Sequence, residues 1–320
     1  MKIDIPSISA IPLLAGLMIF SACPQRASAA PERSQVFASV YSPEIPSKTS
    51  ICGQTIDLDR TEYYEAFDRE LTSIIYSHGS TLLVLKRANR YFPELAPLLK
   101  ANGVPEDFLY LAIVESTLNN RAYSPAKAAG LWQFIPSTAK QYGLEVNDDV
   151  DERYNLEKAT AAACRYFKNS YAKYGDWPSV MASYNGGPTR ITNELAKQKA
   201  STSLDLWLAE ETTRYPFRIM AYKELMKNPA KYGYKITDKQ LYQPRKYKTV
   251  TVSGPVEDWA AWAQKQGITY AQLRDANPWI RSNTLPNKTG KTYTVKIPQK
   301  ESLSRKSAGT TTYSENWTVD

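Results

Sequence analysis

The sequence predicts a mostly α protein: a large helical domain followed by a small α+β domain. Two observations indicate this class. Helical signals dominate from about residue 60 to residue 230 without strand alternation, and after Pro244 two segments rich in β-branched residues flank two short helical ones. The 320 residues, 42% of them hydrophobic, are enough for one large domain and one small one.

The first element is a short apolar segment, Ile11–Phe20. Its ten residues are too few to cross a bilayer but fit the core of a signal peptide. Two cleavage sites compete: Ala27–Ala29 suits an ordinary signal peptidase, whereas Phe20–Cys23 resembles a lipoprotein signal. We predict that residues 1–22 are removed and that Cys23 is acylated, which would anchor an exported protein to a membrane of the cell envelope, facing the periplasm. A freely soluble exported protein is the alternative.

Residues 23–59 come before the first helical signal, and the part from 31 to 55 is rich in Pro and Ser. It shows no periodicity, so we predict a tether. A helical domain is then expected over residues 60–240. Its predicted helices are Tyr64–Tyr76, Ser80–Arg90, Glu94–Ala101, 107–118, Ser137–Tyr142, Leu156–Tyr174, Trp177–Tyr184, Arg190–Ala200, Ser203–Ala209 and Pro216–Lys227.

The helix over residues 107–118 contains the candidate catalytic residue. Pro105 and two acids open it, and the apolar run Phe108–Val114 predicts that it is buried. Glu115 follows this run on the same face as Phe108. Partial burial disfavours the carboxylate and raises its pKa, which suits a general acid near neutral pH. From position alone, a structural salt bridge or a carboxylate at the helix end is the alternative.

Composition excludes several kinds of chemistry. The only histidine is His78, and no Cys-x-x-Cys pair occurs. A histidine-rich metal site is therefore excluded, and a Ser-His-Asp triad would have to use His78, which stands in a polar turn. We predict no metal and no cofactor. Cys52 and Cys164 are two thiols that an oxidising compartment would allow to pair, or Cys164 is simply buried in a helix.

After Pro244, strands are predicted at Tyr247–Val252 and Tyr293–Ile297, with helices at Val256–Gln266 and Tyr270–Ala276 between them. This βααβ unit predicts a separate domain over residues 247–298. The polar tail, 299–320, is predicted to have no structure of its own.

The net charge of +8 is concentrated near the C-terminus. Residues 31–240 hold 26 Lys and Arg against 25 Asp and Glu, whereas residues 241–320 hold 12 against 6. A basic C-terminal part suits an anionic polymer: nucleic acid, lipid headgroups or cell wall. Because the basic residues are scattered singly and export is predicted, we expect no nucleic-acid partner.

Four ordered motifs resemble those of the family 1 lytic transglycosylases, in particular their membrane-bound D type. They are Glu115-Ser116, the Gly-Leu-Trp-Gln-Phe of 130–134, the Ala-Ser-Tyr-Asn-Gly-Gly of 182–187 and the Glu-Thr-Thr-Arg-Tyr of 211–215. The resemblance covers about residues 60–230 and implies a lysozyme-like helical fold with a cleft for a glycan strand.

The resemblance also implies roles for single residues. Glu115 would be the only catalytic acid and base, with Glu211 supporting the site. The residues expected to bind substrate are Ser116, Gln133, Tyr184, Asn185 and Tyr215. For each of them an ordinary structural position is the alternative, and Trp132 is expected in the core.

The implied substrate is peptidoglycan, cleaved between N-acetylmuramic acid and N-acetylglucosamine. The 6-hydroxyl of the same sugar would close on C1 and give a 1,6-anhydro end without water. One alternative is a hydrolase like goose-type lysozyme, which needs a water-activating carboxylate such as Asp148, Asp149 or Asp151. The other is a peptidoglycan-binding protein without catalysis.

Residues 247–298 resemble a LysM domain, a βααβ module that binds glycans containing N-acetylglucosamine. The matching segments are Val250–Gly254, Gly267–Thr269, Leu273–Pro278 and Val295–Pro298. The Gly-Asp-Thr-Leu that LysM domains have after the first strand is replaced here by Gly254–Trp259. The resemblance thus implies either a retained glycan site or a structural appendage with a positive face.

Overall fold

Eight α-helices build the larger part of the chain in a computed structural model that describes residues 40–306 and 309–319. They are α1 (Thr61–Tyr76), α2 (His78–Ala101), α3 (Phe108–Ser116), α4 (Pro136–Gln141), α5 (Leu156–Tyr174), α6 (Trp177–Gly186), α7 (Pro188–Gln198) and α8 (Glu210–Lys227). Residues 42–320 form one compact unit. The predicted signal peptide and Cys23 lie outside the described residues.

Helix α3 is buried in the helical core, as its apolar run predicts. Phe108, Leu111 and Ala112 are fully buried. Helix α8 packs against α1, α3 and α6, while α5 packs against α2 and α6. Trp132 is also buried, and its indole Nε1 donates a hydrogen bond to Thr160 Oγ1 at 2.9 Å, which confirms that this tryptophan belongs to the core.

Helix α2 runs unbroken through Pro93 and Pro97, so the prediction of two helices divided at Pro93 was wrong. A proline inside a helix costs about 3 kcal/mol, because it removes a backbone hydrogen bond and crowds the preceding turn. The helix continues here because Phe92, Leu95 and Leu99 bury one apolar face across both prolines. Each such side chain contributes about 1.5 to 3 kcal/mol when buried.

The prediction was also wrong between α7 and α8. The segment predicted as a helix over Ser203–Ala209 contains only a 3₁₀ turn, Ser203–Asp205. Helix α8 instead begins at Glu210, well before Pro216. Its first two turns are stabilised because Thr212 and Tyr215 are buried. The prediction took Pro216 as the start of the helix, and this local signal carries no information about that burial.

Part of the predicted tether is a β-hairpin. Strand β1 (Lys48–Ile51) pairs antiparallel with β2 (Gln54–Asp57) through a two-residue turn. Cys52 and Gly53 both have positive φ in this turn, as a type I′ hairpin requires. Ile51, Ile56 and Leu58 are buried in the helical core, so the tether prediction was wrong for this segment. The strands are too short for their alternation to stand out among the Pro and Ser residues.

The hairpin also contacts the helix that carries Glu115. The backbone N–H of Cys52 donates to Asp107, the residue before α3, and Lys223 of α8 pairs with the same carboxylate at 2.8 Å. Both Cys52 and Cys164 are free thiols. Burial raises the pKa of Cys164 to about 11 and that of Cys52 well above its usual range.

The C-terminal part confirms the predicted βααβ arrangement. Strands β3 (Tyr247–Val252) and β4 (Tyr293–Pro298) pair antiparallel, with Tyr247 opposite Pro298 and Val252 opposite Tyr293. Between them lie α9 (Trp259–Lys265) and α10 (Tyr270–Ala276). Their core contains Trp259, Leu273 and Val295, all fully buried.

This small domain shares its core with the helical domain. Ala129, Val150 and Tyr154 of the helical part belong to the same apolar cluster as Trp279 and Ile280. Val150 and Ile280 form an antiparallel β-bridge. On either side of it, the N–H of Asp151 donates to the Trp279 carbonyl at 2.9 Å and the N–H of Arg281 donates to the Asp149 carbonyl at 2.8 Å. These contacts join the two domains by backbone as well as by side chains.

Residues 309–319 pack against the helical domain, so the prediction of a structureless tail was wrong for them. Trp317 is buried, and its Nε1 donates to the Met226 carbonyl at 2.7 Å. Tyr313 and Trp317 both pack on Phe92. Two aromatic residues in a polar segment are enough to dock it. None of the helices that the structure describes is both long and apolar enough to cross a membrane.

Candidate active site

A cleft of about 530 Å³ opens beside the C-terminal end of α3. Its walls come from α3, from the loop that leads to α4, from α5, from the junction of α6 and α7, and from α8. The lining residues are Val114, Glu115, Ser124, Ala126, Ala128, Gln133, Phe134, Ile135, Thr138, Tyr166, Tyr184, Asn185, Gly187, Pro188, Glu211, Tyr215 and Arg218.

Glu115 lies in the last turn of α3, half-buried at the wall of the cleft. The helix ends just beyond it because Thr117 and Leu118 take left-handed φ values of 51° and 55°. The Tyr215 hydroxyl donates a hydrogen bond to Glu115 Oε1. Burial raises the pKa of Glu115 to about 7; the nearby Glu211 carboxylate also raises it, and the Tyr215 hydrogen bond opposes them.

Two tyrosine hydroxyls face the same region as donors. Burial and the neighbouring Glu115 hold the pKa of both Tyr184 and Tyr215 well above the usual range, so both phenols stay protonated. The Tyr184 hydroxyl donates to the Trp132 carbonyl at 2.6 Å. This bond ties α6 to the motif that contains Gln133.

Gln133 lines the cleft in a left-handed conformation, with φ of 49°. Its side-chain Nε2 donates to the Gly130 carbonyl at 2.8 Å. Gly130 itself has φ of 76°, and a Cβ there would lie 1.9 Å from the Arg153 carbonyl oxygen. The turn therefore requires glycine, and it fixes the position from which Gln133 reaches the cleft.

Asn185 and Glu211 are linked across the junction of α6 and α8. Thr212 Oγ1 donates to Asn185 Oδ1 at 3.0 Å, and Asn185 Nδ2 lies 3.5 Å from Glu211 Oε1. The helices approach closely here, because a Cβ at Gly186 would lie only 2.8 Å from Thr212 Cγ2. The glycines of the second and third motifs, Gly130 and Gly186, thus allow close packing next to the cleft.

The structure brings together six of the seven residues predicted for this site: Glu115, Gln133, Tyr184, Asn185, Glu211 and Tyr215 all line the cleft. Ser116 does not. It is buried, and its Oγ donates to the Ala112 carbonyl one turn back in α3. The structure thus places Ser116 on the core side of the helix, outside the lining of the cleft.

Sequence reasoning missed Tyr166 and Arg218, which also line the cleft. The Tyr166 hydroxyl donates to the Ser183 carbonyl at 2.8 Å. Arg218 Nε donates to Glu70 Oε2 at 2.7 Å, and Glu70 is itself buried. A buried glutamate within the apolar face of α1 is the signal that could have indicated a basic partner from another helix.

The carboxylates considered for a hydrolase are elsewhere. Asp151 is buried and paired with Arg153 at 2.7 Å, and the Asp149 backbone bonds to the small domain. Neither they nor Asp148 line the cleft. Glu211 is the second carboxylate of the cleft lining besides Glu115.

A half-buried carboxyl group with a raised pKa and a tyrosine donor on it, at the wall of an open cleft, is an arrangement suited to general acid–base chemistry. Residues 95–206 match the family "Transglycosylase SLT domain", and residues 248–301 match the "Soluble lytic transglycosylase C-terminal LysM-like domain". The chain therefore contains a transglycosylase SLT domain followed by a LysM-like domain, as its motifs predict. Glu211 and Tyr215 lie beyond the matched range.

Curated relatives agree with this assignment. The chain is 33% identical over 230 residues to membrane-bound lytic murein transglycosylase D of Escherichia coli strain K12. The aligned residues make up 70% of this chain and 49% of the relative. It is 26% identical over 182 residues to a putative soluble lytic murein transglycosylase of Haemophilus influenzae, covering 52% of this chain and 30% of that protein. The chain thus spans about half the length of the first relative.

Among solved structures, the 70 kDa soluble lytic transglycosylase of Escherichia coli aligns with a TM-score of 0.38 and 20% identity, covering 58% of this chain and 31% of that one.

Proposed function

We propose that this protein is a lytic transglycosylase that cleaves the β-1,4 bond between N-acetylmuramic acid and N-acetylglucosamine in peptidoglycan without water. The observation that carries the proposal is Glu115: its carboxyl group is half-buried in the cleft, has a pKa of about 7 and accepts the Tyr215 hydrogen bond. At neutral pH both protonation states of such a group are populated, as a residue that acts first as acid and then as base requires.

In the first step Glu115 donates its proton to the bridging oxygen between the two sugars. The bond from that oxygen to C1 of N-acetylmuramic acid breaks, its electrons stay on the oxygen, and positive charge develops at C1. The carboxylate left on Glu115 retains the hydrogen bond from Tyr215, and a charge-assisted bond of this kind is stronger than a neutral one.

In the second step the Glu115 carboxylate takes the proton of the 6-hydroxyl on the same sugar, and that oxygen bonds to C1. A 1,6-anhydro ring forms, and Glu115 regains its proton. No water is consumed, so no second carboxylate is needed to activate one. An attacking group within the same molecule has a high effective concentration, which favours this route.

Glu211 supports the acid form of Glu115 in this proposal, because its negative charge raises the Glu115 pKa. Asn185 Nδ2, 3.5 Å from Glu211 Oε1, would position the Glu211 side chain at the wall of the cleft. Gln133, Tyr184 and Asn185 would contact the sugars along the cleft, with amide and hydroxyl groups suited to their N-acetyl and hydroxyl substituents.

The small domain offers a second surface for the same polymer. A groove of about 480 Å³ runs along the replaced loop between β3 and α9, and Trp262 and Asp258 line it. An indole with carboxylate and hydroxyl neighbours suits a sugar ring, so we propose that this groove retains glycan binding.

We also propose that the protein acts in the cell envelope on the periplasmic side, held to a membrane through acylated Cys23. The support is the apolar segment Ile11–Phe20 followed by Cys23, together with similarity to a relative whose name describes it as membrane-bound. No cofactor enters the mechanism.

The test is mass spectrometry of the soluble fragments released from purified peptidoglycan by the wild type and by Glu115→Gln. Fragments with anhydro ends, one water lighter than hydrolysis products, are expected with the wild type alone. Reducing ends would overturn the proposal in favour of a hydrolase that uses Glu211. Binding to peptidoglycan without any fragments, from folded protein, would favour a non-catalytic role.

A further inference from the structure

A second cavity, of about 420 Å³, lies where the small domain packs against the helical domain. No residue lines both this cavity and the Glu115 cleft. Its walls come from α2, from the loop after α3, from residues 152–158, and from β3, α10 and β4. The volume is within the range of small-ligand sites, and the position between two domains is a common one for them.

Aromatic rings form one side of this interdomain cavity. Trp279 and Tyr293 stack with their centroids 5.5 Å apart and their planes 14° apart. Tyr91, Tyr154 and Tyr247 add further rings. Trp279 and Tyr293 are buried, and the Tyr293 hydroxyl donates to Glu145 Oε2 at 3.1 Å. The half-buried rings of Tyr91 and Tyr247 are therefore the ones that can pack against the C–H groups of a sugar.

The polar lining has more positive than negative charge. Six Lys and Arg side chains line the cavity against four Asp and Glu, an excess of two positive charges. Arg90 forms no ion pair with any residue that the structure describes. Its Nε donates to the Gln243 carbonyl at 3.2 Å, and its guanidinium lies 5.1 Å from the centroid of Tyr242.

The surroundings of Arg90 favour an anion. Burial lowers the pKa of Arg90, and the neighbouring guanidinium of Arg245 lowers it further. Arg245 is itself paired with Asp275, so of the two guanidinium groups Arg90 is the one without a carboxylate partner in the described part of the chain. A planar guanidinium can donate two parallel hydrogen bonds to a carboxylate.

Asn120 adds an unused acceptor to the same wall. Its Nδ2 donates to the Tyr154 carbonyl at 3.0 Å, but its buried Oδ1 accepts no hydrogen bond from any residue in the described ranges. A buried acceptor without a donor destabilises the fold. A hydroxyl or amide N–H of a ligand would satisfy it.

We propose that the interdomain cavity binds a small acidic saccharide, a sugar with one carboxylate such as N-acetylmuramic acid. The carboxylate would bind at Arg90, a hydroxyl or N-acetyl N–H at Asn120, and the ring against Tyr91 and Tyr247. The choice of ligand rests on the proposed function, since N-acetylmuramic acid is one of the two sugars at the bond that the proposed reaction cleaves.

The test is calorimetric titration of the purified protein with N-acetylmuramic acid, and with N-acetylglucosamine as the matched sugar without a carboxylate. We expect the acidic sugar to bind at least tenfold more tightly. Arg90→Gln should weaken its binding at least tenfold. Thr249→Trp should do the same by filling the cavity from the exposed face of β3. Lys173→Gln, which removes a positive charge of α5 outside the cavity, is the control and should bind as the wild type does.

Equal affinity for the two sugars would overturn the proposal, as would unchanged binding in both Arg90→Gln and Thr249→Trp. If circular dichroism shows that Arg90→Gln is unfolded, the test rests on Thr249→Trp, because this substitution removes no side-chain hydrogen bond. Release of anhydro fragments by the same variants is measured separately and should be preserved. Sugar binding that depends on Arg90 in a protein that releases no such fragments would refute the proposed function and leave the site in place.

Discussion

The Tyr215 hydroxyl donates to Glu115 Oε1 from a helix that lies 100 residues further along the chain. The influences on this carboxyl group oppose each other. Burial and the Glu211 charge favour its acid form, the Tyr215 hydrogen bond favours its carboxylate form, and the result is a pKa of about 7. The influences of Tyr215 and Glu211 can each be removed by one substitution, so the pH dependence of the reaction tests the assignment of the site.

Tyr215→Phe should raise the pKa of Glu115 and slow the reaction. With the hydroxyl gone, the carboxylate formed after proton donation loses its donor, which should lower the maximal rate about 10- to 100-fold. The fall in rate at alkaline pH should move to higher pH, as measured by fragment release between pH 5 and pH 9. Tyr184→Phe loses the hydrogen bond to the Trp132 carbonyl instead, and it should leave this alkaline limb of the pH–rate profile unchanged. An unchanged alkaline limb in Tyr215→Phe would contradict the role given to the hydrogen bond from Tyr215 to Glu115.

Glu211→Gln should shift the alkaline limb in the opposite direction. The Glu211 charge raises the pKa of Glu115, so its removal should lower that pKa and make the acid form scarcer at neutral pH. The products should keep their anhydro ends. Glu210→Gln is the matched control: its side chain is 70% exposed and paired with Arg69, and its loss should not move the limb. Cleavage that disappears altogether in Glu211→Gln would instead indicate that Glu211 activates water.

Glu115→Gln should stabilise the protein increasingly as pH rises. Between the usual pKa of 4.5 and the folded value of about 7, the folded wild type binds a proton that the unfolded chain releases, so its stability falls with rising pH. Glutamine cannot ionise and avoids this loss. The gain in the free energy of unfolding should grow by about 1 to 3 kcal/mol between pH 4 and pH 8, measured by urea denaturation. Glu65→Gln on the exposed face of α1 should show no such trend. If the difference in the free energy of unfolding between Glu115→Gln and the wild type stays constant with pH, the raised pKa of Glu115 is contradicted.

Gly130→Ala should destabilise the fold far more than Gly143→Ala. Both glycines have positive φ, so alanine costs about 1 kcal/mol at either position. The Gly130 Cβ would also lie 1.9 Å from the Arg153 carbonyl oxygen, whereas the nearest atom to a Gly143 Cβ is 3.8 Å away at the end of Arg165. We expect a loss above about 3 kcal/mol for Gly130→Ala by urea denaturation. Equal losses at the two positions would show that the loop yields without strain.

The sequence predicted what depends on local pattern and composition. The apolar run before Glu115 indicated a buried helix with a carboxyl group at its edge, and alternation indicated β3 and β4. The family motifs placed Tyr215 among the residues expected to bind substrate, but they did not predict its hydrogen bond to Glu115, because no local rule joins residues so far apart. The hairpin at Cys52 and the docking of Trp317 were missed for the same reason: short segments in polar surroundings fold through contacts with distant residues. The unbroken α2 shows tertiary packing overriding two prolines.

The apolar cluster that joins Val150 to Ile280 fixes the distance between the groove beside Trp262 and Glu115. A flexible linker would let this distance vary, and a strand bound at both places would then be cut into fragments of variable length. A joint packed like the interior of a single domain keeps the groove and the Glu115 cleft at a fixed distance from each other. Under the proposed function, a glycan strand that occupied both the groove and the cleft would be cut at a spacing set by this joint.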